Sequence, residues 1–361
     1  MTAIHFFCNY SLWSNNYESN ATKIFKTIQG PEKAGRFCRA FRWVIHRFQN
    51  TSKTPGEPIS AGGFFIGRGK IMFKGSYVAT ITPFDGDQID EDAIERMVRR
   101  HIELGTHGLV PTGTTGESPT LSHDEHKRVI ELTIKAAEKR IPVIAGAGSN
   151  NTVEAIDLSK HAGAAGADGL LHVAGYYNKP NQEGMYQHFK TVHDACDLPI
   201  ILYNIPPRCI VGLDVDTMVR LAELPRIVGI KDATADLSRP GSERIRISKE
   251  FSWLSGEDAT AVAYNASGGN GCISVTANIA PGHCSKMQSA CLAGDYATAL
   301  NYQDQLMPLH EALFTEPSPA GAKYAASLLG LCSDSCRLPI VPLQDATKKK
   351  IQSAMQSLDL I

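Results

Sequence analysis

From residue 72 onward, short apolar runs alternate with polar stretches in which apolar residues recur at helical spacing. The runs are Tyr77–Ile81, Gly108–Val110, Val143–Ala145, Gly169–Val173, Ile200–Tyr203, Ile227–Ile230, Trp253–Leu254 and Cys272–Val275. They return at intervals of about 25–35 residues, the length of one strand–helix unit. A short, near-continuous apolar run reads as a parallel strand covered on both faces. Between the runs, Asp90 stands as an N-cap before Glu91-Asp-Ala-Ile-Glu-Arg-Met-Val, Ser122-His-Asp-Glu125 is a capping box, and Thr152 opens a third helix. Eight strands with intervening helices predict an α/β chain folded as a (β/α)8 TIM barrel, with a doubly wound open sheet as the alternative. Beyond about residue 285 the pattern is helical only, over Asp295–Leu313, Pro319–Leu329 and Asp345–Leu358. The expected organisation is a barrel over 72–294 and a C-terminal helical subdomain over 295–361.

Residues 1–71 break this rhythm and show no sustained period. They hold 10 Lys+Arg against 3 Asp+Glu, whereas residues 72–361 hold 26 against 34. The segment lacks the apolar core and cleavage site of a secretory signal. We read it as an extension that is disordered or lies upstream of a true start at Met72, with an organelle-targeting segment as the alternative. The mildly acidic body carries no nucleic-acid footprint. No apolar run reaches the roughly 18 residues of a membrane span. Nine cysteines without a Cys-x-x-Cys pair, Cys332 and Cys336 being the closest two, predict reduced thiols in the cytoplasm and no zinc site.

The chemistry enters at the end of the sixth run, where Ile227, Val228 and Ile230 lead into Lys231. Burial disfavours an ammonium and lowers its pKa, and a neutral lysine amine forms Schiff bases with carbonyl compounds. A lysine that reaches out to solvent at the strand end is the alternative. In such barrels chemistry sits at the C-terminal ends of the strands. There the parsing places Thr114, Thr115, Glu117, Asn150, Tyr176, Tyr177, Tyr203, Arg208, Gly256 and Ile273 beside Lys231. One lysine, several hydroxyls and one arginine, with no metal cluster, suit carbonyl chemistry on an anionic substrate.

Six motifs in order, Gly113-Thr-Thr-Gly-Glu117, Tyr176-Tyr-Asn-Lys-Pro180, Tyr203-Asn-Ile-Pro-Pro-Arg208, Gly229-Ile-Lys-Asp-Ala-Thr234, Leu254-Ser-Gly-Glu-Asp258 and Ile273-Ser-Val-Thr-Ala-Asn278, resemble the dihydrodipicolinate synthase family over nearly all of residues 72–361. The resemblance implies a lyase of the diaminopimelate route to lysine. Lys231 would condense with pyruvate to an imine and then an enamine, which attacks L-aspartate 4-semialdehyde. Thr114, Tyr177 and Tyr203 match the family's proton relay, Tyr177 reaching into the neighbouring subunit. Thr115 matches the residue holding the pyruvate carboxylate and Arg208 the one receiving the second carboxylate. Gly256 and Ile273 match positions that line the site through backbone groups. Ser118, His123, His126, Asn150, Glu154 and Tyr176 match a lysine feedback site. The resemblance further implies a homotetramer built as a dimer of dimers, and no cofactor beyond the covalent pyruvate imine. Taken singly, strand-end tyrosines are core-edge residues and a Thr-Thr pair in a glycine turn is turn chemistry.

Two positions depart from the family pattern. Ala174-Gly175 replaces the common Thr-Pro, which loosens the backbone before Tyr177. Ala235 replaces a frequent glycine, which matters only where φ is positive. Asp85–Asp90 lacks the glycine and distal glutamate of a calcium loop, Gly268–Gly271 is too short for a dinucleotide fingerprint, and Gly113–Ser118 is not a serine nucleophile elbow. The rivals are another pyruvate-imine aldolase acting on sugar acids, and a non-catalytic lysine sensor that would have lost the nucleophile or relay hydroxyls.

Overall fold

The structure is a computed structural model that describes residues 73–361; the expectations for residues 1–71 lie outside them. Eight parallel strands form one sheet: β1 (Gly75–Ala79), β2 (Gly108–Val110), β3 (Ile144–Gly146), β4 (Gly169–Val173), β5 (Ile200–Asn204), β6 (Ile227–Asp232), β7 (Ser252–Ser255) and β8 (Gly271–Ser274). Hydrogen-bonded neighbours run β2-β1-β8-β7-β6-β5-β4-β3. A single parallel bridge from Leu109 to Val143 joins the two ends, which makes the sheet a nearly closed barrel and sets aside the open-sheet alternative. A short antiparallel ladder, Phe84–Asp85 with Gln88–Ile89, follows β1.

Helices alternate with the strands and bury one stripe each. Glu91–Glu103 buries Ala93, Ile94, Met97, Val98 and His101, a three-and-four spacing that faces the sheet. The caps stand where the sequence placed them. Asp90 accepts the Ala93 N–H at 2.8 Å. Ser122 and Glu125 exchange both capping-box hydrogen bonds, at 3.2 and 2.8 Å. The third helix starts at Thr152, with Asn151 as its cap. After helix Pro281–Ala293, which follows β8, come Tyr296–Leu313, Ala320–Leu328 and Asp345–Gln356. Asp295, expected as a helical residue, caps the first of these by accepting the Thr298 N–H at 3.0 Å.

The barrel interior is filled by alternate residues of successive strands: Tyr77 and Ala79, Val110, Ile144, Leu171, Ile201 and Tyr203, Leu254 and Ile273. Strand β6 obeys this alternation only through an irregularity. Ile200 pairs with Ile227 but Ile201 pairs with Gly229, so Val228 is an extra residue in the ladder. A bulge of this kind reverses the faces of everything beyond it. Ile227 and Ile230 accordingly pack outward against the helices. Lys231 instead lies level with Tyr203 and Leu254, both interior residues.

Among the described residues no helix is long and apolar enough to cross a membrane, and no group of three or more His, Cys, Asp or Glu side chains is placed to hold a metal. The described cysteines are free thiols.

Candidate active site

Lys231 occupies the C-terminal end of β6 with 5% of its surface exposed. Its Nζ stands 4.3 Å from the centroid of the Tyr203 ring on the adjacent strand. Burial pulls the Lys231 pKa down to about 8; Cys272, Asp258 and Glu257 oppose that fall, and the Arg208 charge assists it. A minor fraction of the amine is therefore free base near neutrality. Gly256 explains how the lysine stem fits. Its N–H bonds the Asp232 carbonyl at 2.6 Å, and a Cβ there would lie 3.1 Å from Lys231 Cε and 2.9 Å from Ala233 Cβ.

Tyr203 is buried, and burial raises its phenol pKa; Arg208 and a hydrogen bond from Thr114 pull the other way. Its hydroxyl thus holds its proton firmly. Thr114 and Thr115 lie in the turn after β2. The Gly116 N–H bonds Gly113 O at 3.1 Å and the Glu117 N–H bonds Thr114 O at 3.1 Å. Thr82 Oγ1 donates to Gly116 O at 2.7 Å, which ties the turn to the loop after β1. Arg208 is exposed at the C-terminal end of the short helix Pro206–Cys209. The buried Asn204 holds the base of that loop by accepting the Leu213 N–H at 3.0 Å. Ile273 lies on β8 in the interior cluster with Tyr203. Lys231, Tyr203, Thr114, Arg208, Gly256 and Ile273 thus gather at one end of the barrel.

Tyr177, by contrast, faces solvent. It is 88% exposed, with φ at 68°. The Asn178 N–H reaches back to Tyr176 O at 2.8 Å, a tight three-residue turn that is strained for an L residue. At Gly175 an added Cβ would lie 2.9 Å from Pro180 Cγ, so a larger residue there requires the Pro180 ring to shift. Ala235 does sit at positive φ, 61°, where a glycine would be unstrained.

Within the second constellation two pairs are in contact, His123 with Glu154 and Asn150 with Tyr176. His123 Nε2 lies 2.5 Å from Glu154 Oε1, and Ser149 donates to the other Glu154 oxygen. Asn150 Nδ2 bonds the Tyr176 carbonyl at 3.3 Å. His126 is buried, its Nε2 2.7 Å from Gly146 O, and burial lowers its pKa. Ser118 begins a short 3-10 helix, with its N–H 3.4 Å from Gly113 O.

Sequence reasoning missed Asp258, although it stands in a quoted motif. It is buried and accepts the Val275 and Thr276 N–H groups at 2.8 and 3.2 Å together with the Ser274 hydroxyl. Its field acts on Lys231. A signal existed in Glu257-Asp258, two acids directly after a strand end. A cleft of about 470 Å3 lies at the opposite end of the barrel, against Asp168, Pro199, Arg226 and Val228, where the strands begin. It is remote from Lys231.

Residues 72–358 match the profile of the Dihydrodipicolinate synthetase family. The 4-hydroxy-tetrahydrodipicolinate synthase of Parvibaculum lavamentivorans is 62% identical over 290 residues, covering 80% of this chain and 100% of that protein. A chloride-inhibited dihydrodipicolinate synthase from Acinetobacter baumannii, solved with pyruvate, is 44% identical with a TM-score of 0.78, over 80% of this chain and 99% of that one. A dihydrodipicolinate synthase from Cyanidioschyzon merolae, solved with lysine bound, is 35% identical with a TM-score of 0.78, over 81% and 100%. A barrel that sets one buried amine against the Tyr203 ring, together with this extent of identity, places the chain in the dihydrodipicolinate synthetase family.

Proposed function

We propose that the chain condenses pyruvate with L-aspartate 4-semialdehyde to give 4-hydroxy-tetrahydrodipicolinate in lysine biosynthesis, through a Schiff base on Lys231. The observation that carries this reading is the buried Lys231 amine, with its pKa near 8, facing Tyr203. The neutral amine attacks the keto carbon of pyruvate, and the hydroxyl leaves as water once Tyr203 supplies a proton. The pyruvate carboxylate is received by Thr115 and the backbone N–H groups of the Gly113–Gly116 turn. Loss of a methyl proton gives an enamine, whose carbon attacks the aldehyde of the second substrate. Arg208 receives that substrate's carboxylate through its planar guanidinium. The amine of the second substrate then closes the ring on the imine carbon and releases Lys231. Thr114 passes protons between Tyr203 and Tyr177 of the partner subunit, so the catalytic unit is a dimer, here within a cytoplasmic homotetramer.

Borohydride reduction in the presence of pyruvate tests the reading. Peptide mass spectrometry should find the reduced adduct on Lys231, and none in Lys231→Ala. Turnover should then require aspartate semialdehyde; turnover with sugar acids instead would assign the chain to the rival aldolase class. Lysine feedback through His123, His126, Asn150, Glu154, Tyr176 and Ser118 is supported by the His123–Glu154 pair, which presents a carboxylate to an ammonium group. Initial rates should fall as L-lysine is added. Rates indifferent to millimolar-range lysine would remove that assignment.

A further inference from the structure

Glu117 ends the turn that carries Thr114 and Thr115, yet its carboxylate is engaged by the C-terminal part of the chain. Lys323 Nζ donates to Oε1 at 2.6 Å, and the Arg337 N–H donates to Oε2 at 2.9 Å. These partners lie 206 and 220 positions further along the chain. Lys323, on helix Ala320–Leu328, has 0% of its surface exposed and Glu117 has 4%. The ring of Phe84 backs both cations, 4.1 Å from Lys323 Nζ and 4.4 Å from the Arg337 guanidinium. The Arg337 side chain also clamps Glu125 and the carbonyls of Thr120 and Asp87. Meanwhile the Glu117 backbone sits at φ 57°, in the left-handed region that an L residue avoids. From there its N–H closes the turn on Thr114 O and its carbonyl receives the Thr120 N–H at 2.9 Å. A buried ion pair is a weak source of stability. A strained conformation persists only where its surroundings over-determine it.

We propose that Lys323 and the Arg337 N–H are positioning groups for the keto-acid turn. By pinning both oxygens of Glu117 they hold it in the left-handed conformation, and so fix Thr114 and Thr115 relative to Lys231. The C-terminal helical segment thereby governs keto-acid affinity without touching the substrate. The inference rests on the keto-acid reading of the site given above.

The test is borohydride trapping of pyruvate at Lys231, measured as a function of pyruvate concentration in the full-length protein. Two variants are compared with the wild type, Lys323→Met and the double variant Lys323→Met with Glu117→Gln. The single variant leaves a buried carboxylate without its cation and can unfold. The double variant removes both charges, and its melting transition is recorded alongside. The expected result is a half-saturating pyruvate concentration raised about tenfold or more, with a maximal trapping rate within about threefold of wild type, because Lys231 and Tyr203 are unchanged. A folded double variant with the wild-type half-saturation overturns the inference and leaves the keto-acid reading standing. Wild-type protein that traps no pyruvate at all overturns the keto-acid reading, and the inference with it.

Discussion

Below pH 8 most of the Lys231 amines carry a proton, and in the proposed Schiff-base chemistry the nucleophile is the fraction that does not. With the pKa at about 8, about a tenth of the amine is neutral at pH 7, against roughly one in three thousand for an ordinary lysine. In the proposed reaction burial therefore supplies a rate advantage before any other group acts. A depressed pKa means the reactive form grows as pH rises. Single-turnover pyruvate trapping should climb about tenfold per unit below pH 8 and level above it; a rate flat from pH 6 to 8 would contradict the assignment. Four positions beyond Lys231, strain rather than charge decides. Ala235 is held at φ 61°, in a segment braced by the Thr234 N–H on Asp232 at 2.8 Å and the Asp236 N–H on Thr234 Oγ1 at 3.2 Å. Ala235→Gly relieves about 1–2 kcal/mol of left-handed strain and adds back about 0.4–1 kcal/mol of unfolded-chain freedom. The expected net gain is about 0.5–1 kcal/mol, read as a higher urea midpoint with unchanged slope.

Elements were more legible than their orientations. Parallel strands covered on both faces are written as apolar runs, so β4 and the body of β5 stand where the sequence placed them. Helix starts were legible because a cap and its partner lie three residues apart, as Ser122 and Glu125 do. The facing of Lys231 was not. Simple alternation counted from the outward Ile227 would turn position 231 outward as well, and only the extra residue Val228 brings the amine inside. A bulge depends on the register of the neighbouring strand, which no local pattern encodes. Tertiary pairs such as Glu117 with Lys323 were hidden for the same reason, and so was the burial of Asp258. The local signals have measurable weight. Ser122→Ala removes one half of the capping box before His123–Ala137 and should lower unfolding free energy by about 1 kcal/mol. Equilibrium denaturation of that variant checks this, and a stability equal to wild type would show that the cap is redundant with the Glu125–Arg337 contact.

At the scale of the whole molecule the proposed relay turns on a residue that the single chain leaves exposed. Tyr177 is an aromatic side chain 88% exposed and carried on a strained turn, an arrangement that packing within the protomer does not explain. If its hydroxyl serves the site of a second copy, each active site takes Lys231 from one chain and Tyr177 from the other. In a two-fold dimer both sites are then built the same way. Lys231→Ala alone has no nucleophile at either site. Tyr177→Phe alone lacks the relay hydroxyl at both, and should lose turnover while still trapping pyruvate. In a mixed dimer of the two variants, one site carries both substitutions and the other carries neither. Random reassociation of equal amounts makes about half of the dimers mixed, so about a quarter of all sites are intact. Dissociating and reassociating the two variants together should therefore restore about a quarter of wild-type turnover, and the recovery should follow the appearance of mixed species by native mass spectrometry. A mixture that performs only as the average of its parents would place Tyr177 in its own chain's chemistry or in none.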